Sequence, residues 1–315
     1  MISRRWMMRI WFGLSLIVFG SRYAEDIRDY FFPRPSAGAE APPQTAGSDR
    51  EGLRLASWNL EFLDVLGHGR AARGKNDLAA LRRYAERIDA DVIAVQEVAS
   101  TEALAAVFPP DRYSYHLAHT GGSQHTGFAY LKTLDVDLHP EVTGLAVGHL
   151  RGGTDMSVRF QGRELRILSV HLKAYCGRGP LDPKDRDCNK LRAQLPALEA
   201  WIDARAREGV AYAVVGDFNR ALAEPGDPVY AEIDDGDPAG LRLKRASMRT
   251  RTRCRGGRAQ PAIDHIVLGG SAIEWLPLNG FVELSYDPGD VNGYHLSDHC
   301  PISVTLAPPK NSPAR

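Results

Sequence analysis

Short apolar runs of strand length recur along this chain, separated by polar stretches. They fall at residues 53–59 (LRLASWN), 91–97 (DVIAVQE), 126–132 (TGFAYLK), 164–172 (ELRILSVHL), 211–219 (AYAVVGDFN), 262–268 (AIDHIVL) and 301–306 (PISVTL). Several are apolar on both faces, as in strands of a sheet covered by other layers. Two other stretches repeat apolar residues every three to four positions and predict amphipathic helices. One carries Leu78, Leu81, Tyr84, Ala85 and Ile88; the other carries Leu191, Leu195, Leu198, Trp201 and Ile202, with Pro196 placed to kink it. Strands mixed with a few helices predict an α/β (α+β) layered domain spanning residues 51–307, with a disordered tail at 308–315.

The pattern changes before residue 51. Arg4, Arg5 and Arg9 precede an uncharged apolar stretch at residues 10–20 (IWFGLSLIVFG). That stretch is shorter than the roughly 20 residues of a membrane-spanning helix and suits the core of a secretory signal. No clean small-x-small cleavage site follows, so residues 1–24 read as either a signal peptide or an uncleaved membrane anchor. Residues 25–50 become rich in Pro, Ala and Gly and read as a flexible linker. Export to a periplasmic or extracellular space is the expectation, and the cysteines agree with it. Cys176, Cys188, Cys254 and Cys300 contain no C-x-x-C pair, and three disulfide pairings are conceivable. A Cys176–Cys188 bridge would close the polar loop GRGPLDPKDRD, with stabilisation on the order of 3 kcal/mol; Cys254 and Cys300 would then be left to pair. Four reduced, buried thiols are the alternative.

Overall charge balances, with 39 Lys and Arg against 39 Asp and Glu. No whole-molecule field draws in nucleic acid or an anionic membrane, so any preference for polyanions has to be local.

Candidate chemistry sits at the strand ends. Asn59, Glu97, His171, the Asp217/Asn219 pair, Asp264, and the Asp298/His299 pair each fall at the edge of an apolar run. Any one of them would serve as a turn cap. Together they supply hard oxygen ligands and two imidazoles where strand ends converge in layered folds. Asn59, Glu97 and Asp298 offer only oxygen, which suits Mg²⁺, with Mn²⁺ or Ca²⁺ as alternatives, and disfavours zinc. Asp217 and Asn219 can orient a water, His299 paired with Asp264 can act as acid or base, and His171 can donate to a phosphate oxygen. There is no G-x-S-x-G elbow for a serine hydrolase.

In their order along the chain, SWNLE, VIAVQEV, SVHLK, VVGDFNR, AIDHIVL and LSDHCP resemble the signature of the endonuclease/exonuclease/phosphatase superfamily. Its members include deoxyribonuclease-I-like nucleases, abasic-site endonucleases, inositol polyphosphate 5-phosphatases and neutral sphingomyelinases. The resemblance implies a four-layer sandwich of two packed mixed β-sheets flanked by helices, and metal-dependent phosphoester hydrolysis. It implies Glu97 as principal metal ligand with Asn59 and Asp298 nearby, and Asp217 and Asn219 positioning the water. His171 and His299 would contact the scissile phosphate, with Asp264 paired to His299. Arg151 stands where members often have a phosphate-contacting arginine; a solvated loop charge is the alternative.

One further stretch, residues 244–258 (KRASMRTRTRCRGGR), holds cations and no acid and leads into Asp264. Arg251, Arg253 and Arg255 within it are candidate phosphate contacts. The expectation is therefore an exported, monomeric Mg²⁺-dependent phosphodiesterase, foremost a nuclease. A phosphoesterase for lipid head groups or inositol phosphates, held near membrane by an anchor, is the alternative enzyme. A non-catalytic binding module on the same scaffold is the alternative of another class, disfavoured by the intact set of ligand-type residues.

Overall fold

A computed structural model describes residues 51–65, 72–254 and 258–309. The expected signal or anchor, the linker, Arg255 and the end of the tail lie outside the described residues. In chain order the first strands are β1 (Leu53–Leu63), β2 (Val92–Val98), β3 (Tyr113–Leu117), β4 (His125–Leu131) and β5 (Asp135–Leu138). Then come β6 (Thr154–Phe160), β7 (Arg163–His171), β8 (Ala211–Asp217), β9 (Leu243–Arg245) and β10 (Arg251–Thr252). The last are β11 (Gln260–Pro261), β12 (Asp264–Gly269), β13 (Phe281–Glu283) and β14 (Ile302–Leu306). The helices are α1 (Lys75–Ile88), α2 (Thr101–Val107), α3 (Arg186–Glu208), α4 (Pro228–Ile233) and α5 (Pro288–Gly293).

Two six-stranded sheets form, ordered β13-β14-β1-β2-β4-β3 and β5-β6-β7-β8-β12-β9, and β10 and β11 pair separately. Each large sheet is mixed: β1/β2 and β7/β8 run parallel, and the other pairs are antiparallel. Apolar side chains from both sheets, among them Leu55, Val92, Phe128, Ile167, Val215 and Ile266, bury one another in a shared core. On the outer face of the second sheet, Leu168, Val170 and Val214 pack with Leu191, Leu195, Leu198 and Ile202 of α3. The helical spacing that predicted α1 buries Leu78, Leu81, Tyr84, Ala85 and Ile88, as its apolar stripe requires. Helix α3 runs unbroken through Pro196, so the proline does not divide it.

Register decides what meets at the rim. In the second sheet His171 lies opposite Asp217, and Asp217 lies opposite Asp264, so three strands place these residues in one row. Gly216 makes the close approach of β8 to β7 feasible: its φ is +148°, and a Cβ there would sit 2.0 Å from the Val170 carbonyl oxygen. In the first sheet Asn59 pairs with Gln96, one residue before Glu97. The strand expected to end at Asn59 continues to Leu63 through a register shift. Glu61 (φ 45°) and Phe62 (φ 52°) take left-handed backbone there, a distortion that a simple alternating pattern does not announce.

Arg220, directly after the Asp217/Asn219 pair, ties this rim to its surroundings. Its fully buried guanidinium donates to Asp227 Oδ2 at 2.6 Å, to the Cys176 carbonyl at 2.7 Å and to the Gly179 carbonyl. Asp227 in turn caps α4 by accepting from Val229 and Tyr230. Replacing Arg220 with Met leaves Asp227 buried and uncompensated. The expected loss of stability is about 3–5 kcal/mol, read from the midpoint of denaturant unfolding; a loss within the experimental error of wild type would refute this role.

Candidate active site

The rim gathers side chains from both sheets into one contact network. Asn59 Nδ2 lies 3.2 Å from Glu97 Oε1 and 3.0 Å from Asp217 Oδ2, so a single amide nitrogen reaches two carboxylates. His171 Nε2 lies 3.7 Å from Glu97 Oε1 and 3.5 Å from Asp217 Oδ2. Asp217 Oδ1 accepts from the backbone N–H of Asn219 at 2.7 Å, and Asn219 Nδ2 bridges Asp217 Oδ2 and the Leu172 carbonyl. Glu97 (φ 58°) and Asn219 (φ 50°) both have left-handed backbone. Non-glycine residues there cost about 1–3 kcal/mol each and persist where surrounding structure over-determines them, often at functional sites.

The two histidines are held in different states. Arg151 Nη1 lies 2.5 Å from His171 Nδ1. A guanidinium can only donate, so Nδ1 accepts and the ring proton sits on Nε2, facing the two carboxylates. Burial, with the charges of Arg151 and His299, holds His171 well below its ordinary value, so it is neutral. His299 Nδ1 lies 2.7 Å from Asp264 Oδ2, and its Nε2 lies 3.7 Å from Asp217 Oδ2. Burial alone would lower His299, but the Asp264 and Asp217 charges and the Asp264 hydrogen bond outweigh it and raise it well above the ordinary value. Asp217 itself is pushed up to about 7, chiefly by burial, against the lowering charge of His299.

The loop carrying His299 is clamped from behind. The His299 carbonyl accepts from Tyr286 Oη at 2.6 Å and from Trp58 Nε1 at 3.2 Å. Ser297 Oγ donates to the Asn59 carbonyl at 2.6 Å and accepts the His299 backbone N–H at 3.1 Å. These residues, with Glu61 and Arg73, were not singled out from the sequence. Arg73 donates to the Glu61 and His295 carbonyls, and Glu61 Oε2 accepts the Asp298 backbone N–H. Glu61 is raised by burial and by the neighbouring charge of Asp298. Trp58 and Ser297 lie inside SWNLE and LSDHCP, where their adjacency to Asn59 and His299 was the available signal.

Of the sequence-derived candidates, Asn59, Glu97, His171, Asp217, Asn219, Asp264 and His299 join this network. Arg151 joins it through His171, at odds with a solvated loop charge. Asp298 is exposed; its Oδ1 lies 3.8 Å from His299 Nε2, and its charge also acts on Glu61. Arg251 donates to the Ala259 carbonyl within its own hairpin, Arg253 lines a cavity beside His299, and Arg255 lies outside the described residues. The structure joins Cys176 to Cys188 and Cys254 to Cys300.

A cation fits this donor set. Ligand atoms of Asp217, Asp264 and His299 lie within 4.8 Å of one another. Asp264 is already bonded to His299, and the Glu97 carboxylate lies across Asn59 Nδ2 from Asp217, so these carboxylates are the oxygen donors the rim offers to such an ion. Carboxylate oxygens of this kind suit a hard divalent ion that keeps part of its water shell.

Comparison with known proteins agrees with this architecture. No curated protein sequence matches the chain significantly. Among solved structures, truncated Caenorhabditis elegans TDP2 aligns with a TM-score of 0.56 at 19% identity, over 81% of this chain and 98% of that one. D. rerio TDP2 complexed with single strand DNA product aligns at 0.55 and 17%, over 81% and 99%. A mannosyl-6-phosphatase of Bacteroides thetaiotaomicron aligns at 0.52 and 14%, over 81% and 99%. At such identities the likeness shows the fold alone. The family model described as Endonuclease/Exonuclease/phosphatase family matches residues 56–299, which contain every side chain of the network above. This chain belongs to the endonuclease/exonuclease/phosphatase family, and its fold is the phosphoesterase fold of that family.

Proposed function

We propose that the protein is an exported, divalent-metal-dependent phosphodiester hydrolase acting on nucleic acid, with Mg²⁺ as its ion. The observation that carries this is the convergence of Glu97 and Asp217 with two differently protonated histidines at one rim. Glu97, with Asn59 beside it, would hold the ion, which when bound polarises a phosphate oxygen. Asp217 and Asn219 grip the attacking water, and Asp217, near neutral in its titration, takes the water proton as the oxygen–phosphorus bond forms. His171 donates from Nε2 to a non-bridging oxygen. His299, kept protonated by Asp264, stabilises the accumulating charge and supplies a proton to the departing oxygen as its bond to phosphorus breaks.

Nucleic acid as substrate is supported by the likeness to a TDP2 structure holding a single strand DNA product. The likeness to a mannosyl-6-phosphatase supports a phosphomonoester as the second reading. Export is supported by the two disulfides and by the sequence of the N-terminal segment. Among the described residues no helix is long and apolar enough to cross a membrane.

The substrate test is a panel of plasmid DNA, structured RNA, sphingomyelin, inositol phosphates and mannose 6-phosphate, each with Mg²⁺ and with EDTA. Hydrolysis of nucleic acid that requires metal is expected, and Glu97→Gln should lower kcat on the order of 10³-fold. Wild-type rates in that variant would sink the metal assignment, and turnover confined to lipid, inositol or sugar phosphates would sink the nuclease assignment.

Asp264→Asn addresses His299 separately. The substitution removes the charge that keeps His299 protonated, so the alkaline limb of the pH–rate profile should move to lower pH. We expect kcat to fall about 10²-fold with a far smaller change in KM. An unmoved alkaline limb would show that His299 is not the group titrating there.

A further inference from the structure

The mechanism leaves the basic stretch before Asp264 unused, yet the fold brings it beside the site. Strands β10 and β11 pair antiparallel, Arg251 opposite Pro261 and Thr252 opposite Gln260. Cys254, following β10, is bonded to Cys300, the residue after His299. The backbone N–H of Tyr286, whose hydroxyl holds the His299 carbonyl, donates to the Cys254 carbonyl. The basic hairpin is therefore tied to the His299 loop by one covalent link and one hydrogen bond.

Between them lies a cavity of about 510 Å³. Its lining includes Asp264, Asp298 and His299 together with Arg249, Arg253 and Arg258. Neighbouring arginines are occupied: Arg245 donates to the Leu222 carbonyl and Arg251 to the Ala259 carbonyl. The guanidinium groups of Arg249, Arg253 and Arg258 make no hydrogen bond or ion pair among the described residues. Three unpaired like charges around one cavity repel, and an anion with several acceptor oxygens relieves that repulsion. Guanidinium forks match phosphate geometry, and the Cys254–Cys300 disulfide ties the hairpin strand beside Arg253 to the His299 loop.

The acids in the cavity narrow the choice of ligand. Asp264 is committed to His299, and Asp298 lies against the same ring. Glu283 of β13 is the remaining carboxylate of the lining, and it makes no ion pair among the described residues. It opposes an anion in the cavity and so supplies a second test of opposite sign.

We infer that this cavity is a subsite for a second phosphate of the substrate, adjacent to the phosphate being hydrolysed at His299. The inference rests on the phosphodiesterase assignment above and deepens it. The favoured substrate then carries at least two phosphates, and the arginine wall selects it over an isolated phosphodiester. A neighbouring phosphate of a polynucleotide and one of a polyphosphorylated small molecule share this chemistry.

Binding of a fluorescein-labelled oligonucleotide to the full chain in EDTA, followed by anisotropy over a range of salt concentrations, tests the subsite without turnover. Arg258→Ala and the double variant Arg249→Ala/Arg253→Ala should each weaken binding about tenfold per guanidinium engaged. The log–log salt slope should become shallower by roughly 0.7–0.9 for each phosphate no longer neutralised. Glu283→Gln should tighten binding. Unchanged affinity and salt slope in both arginine variants, or weaker binding in Glu283→Gln, would overturn the subsite. Competition by inositol hexakisphosphate at lower concentration than an unlabelled oligonucleotide would identify a small polyphosphate as the source; the reverse order identifies the polynucleotide. In a parallel assay with Mg²⁺, wild type should turn over the oligonucleotide. Weakened binding in the arginine variants without any wild-type turnover would refute the phosphodiesterase assignment while leaving the subsite standing.

Discussion

Negative charge crowded onto strand ends is the constraint around which this rim is arranged. Glu97 and Asp217 come from different sheets, yet one amide nitrogen of Asn59 lies within hydrogen-bond distance of both. In the low dielectric of a buried rim, two carboxylates this close are unfavourable unless donors and cations surround them. The fold supplies the Asn219 backbone amide, the Asn59 and Asn219 side chains, two imidazoles, and Arg151 behind one of them. Burial, with the charge of Asp264, still raises Asp217 to about 7 against the lowering effects of His299, Asn219 and Asn59.

The two histidines show how one rim holds opposite protonation states. Both rings are largely buried, so desolvation lowers both. The difference lies in the group behind each ring. Arg151 faces Nδ1 of His171 and can only donate, which fixes that nitrogen as an acceptor and keeps the ring neutral. Asp264 faces Nδ1 of His299 and can only accept when ionised, which fixes that nitrogen as a donor and favours the cation. A neutral donor and a charged donor therefore flank the same carboxylate, and their roles follow from the residues standing behind them.

Much of this was legible in the sequence because strand ends are legible. Apolar runs such as VIAVQE and AVVGDFN mark where a buried strand stops, and the polar residue that ends each one marks the rim. Two kinds of feature escaped. The bulge that extends β1 past Asn59 turns on left-handed backbone at Glu61 and Phe62, residues whose side chains do not advertise it. The clamp on His299 joins Trp58 to Tyr286 across more than two hundred positions, and a hydrogen bond between residues so far apart leaves no local pattern. Asp298, beside His299 in sequence, is more than half exposed, because adjacency along a loop does not set how far a side chain is buried.

The disulfides extend the same logic from the core to the loops. His171 and His299 sit at the ends of ordered strands or just before them, but the chain following each must leave the sheet. Cys176 lies five residues beyond His171 and Cys300 lies one beyond His299, each bonded to a partner outside that loop's own strand. Neither bridge is needed to bury the sheets, whose apolar faces already cover each other. Each instead fixes a loop beside a rim histidine, and Arg220 adds a buried ion pair and carbonyl contacts to the first of them. Loops that have to present charge to a solvent-facing substrate cannot be held by hydrophobic burial, because the groups that bind substrate are the ones that must stay exposed. Covalent links and buried charge pairs hold them without covering them, which is why both kinds of restraint cluster at this rim.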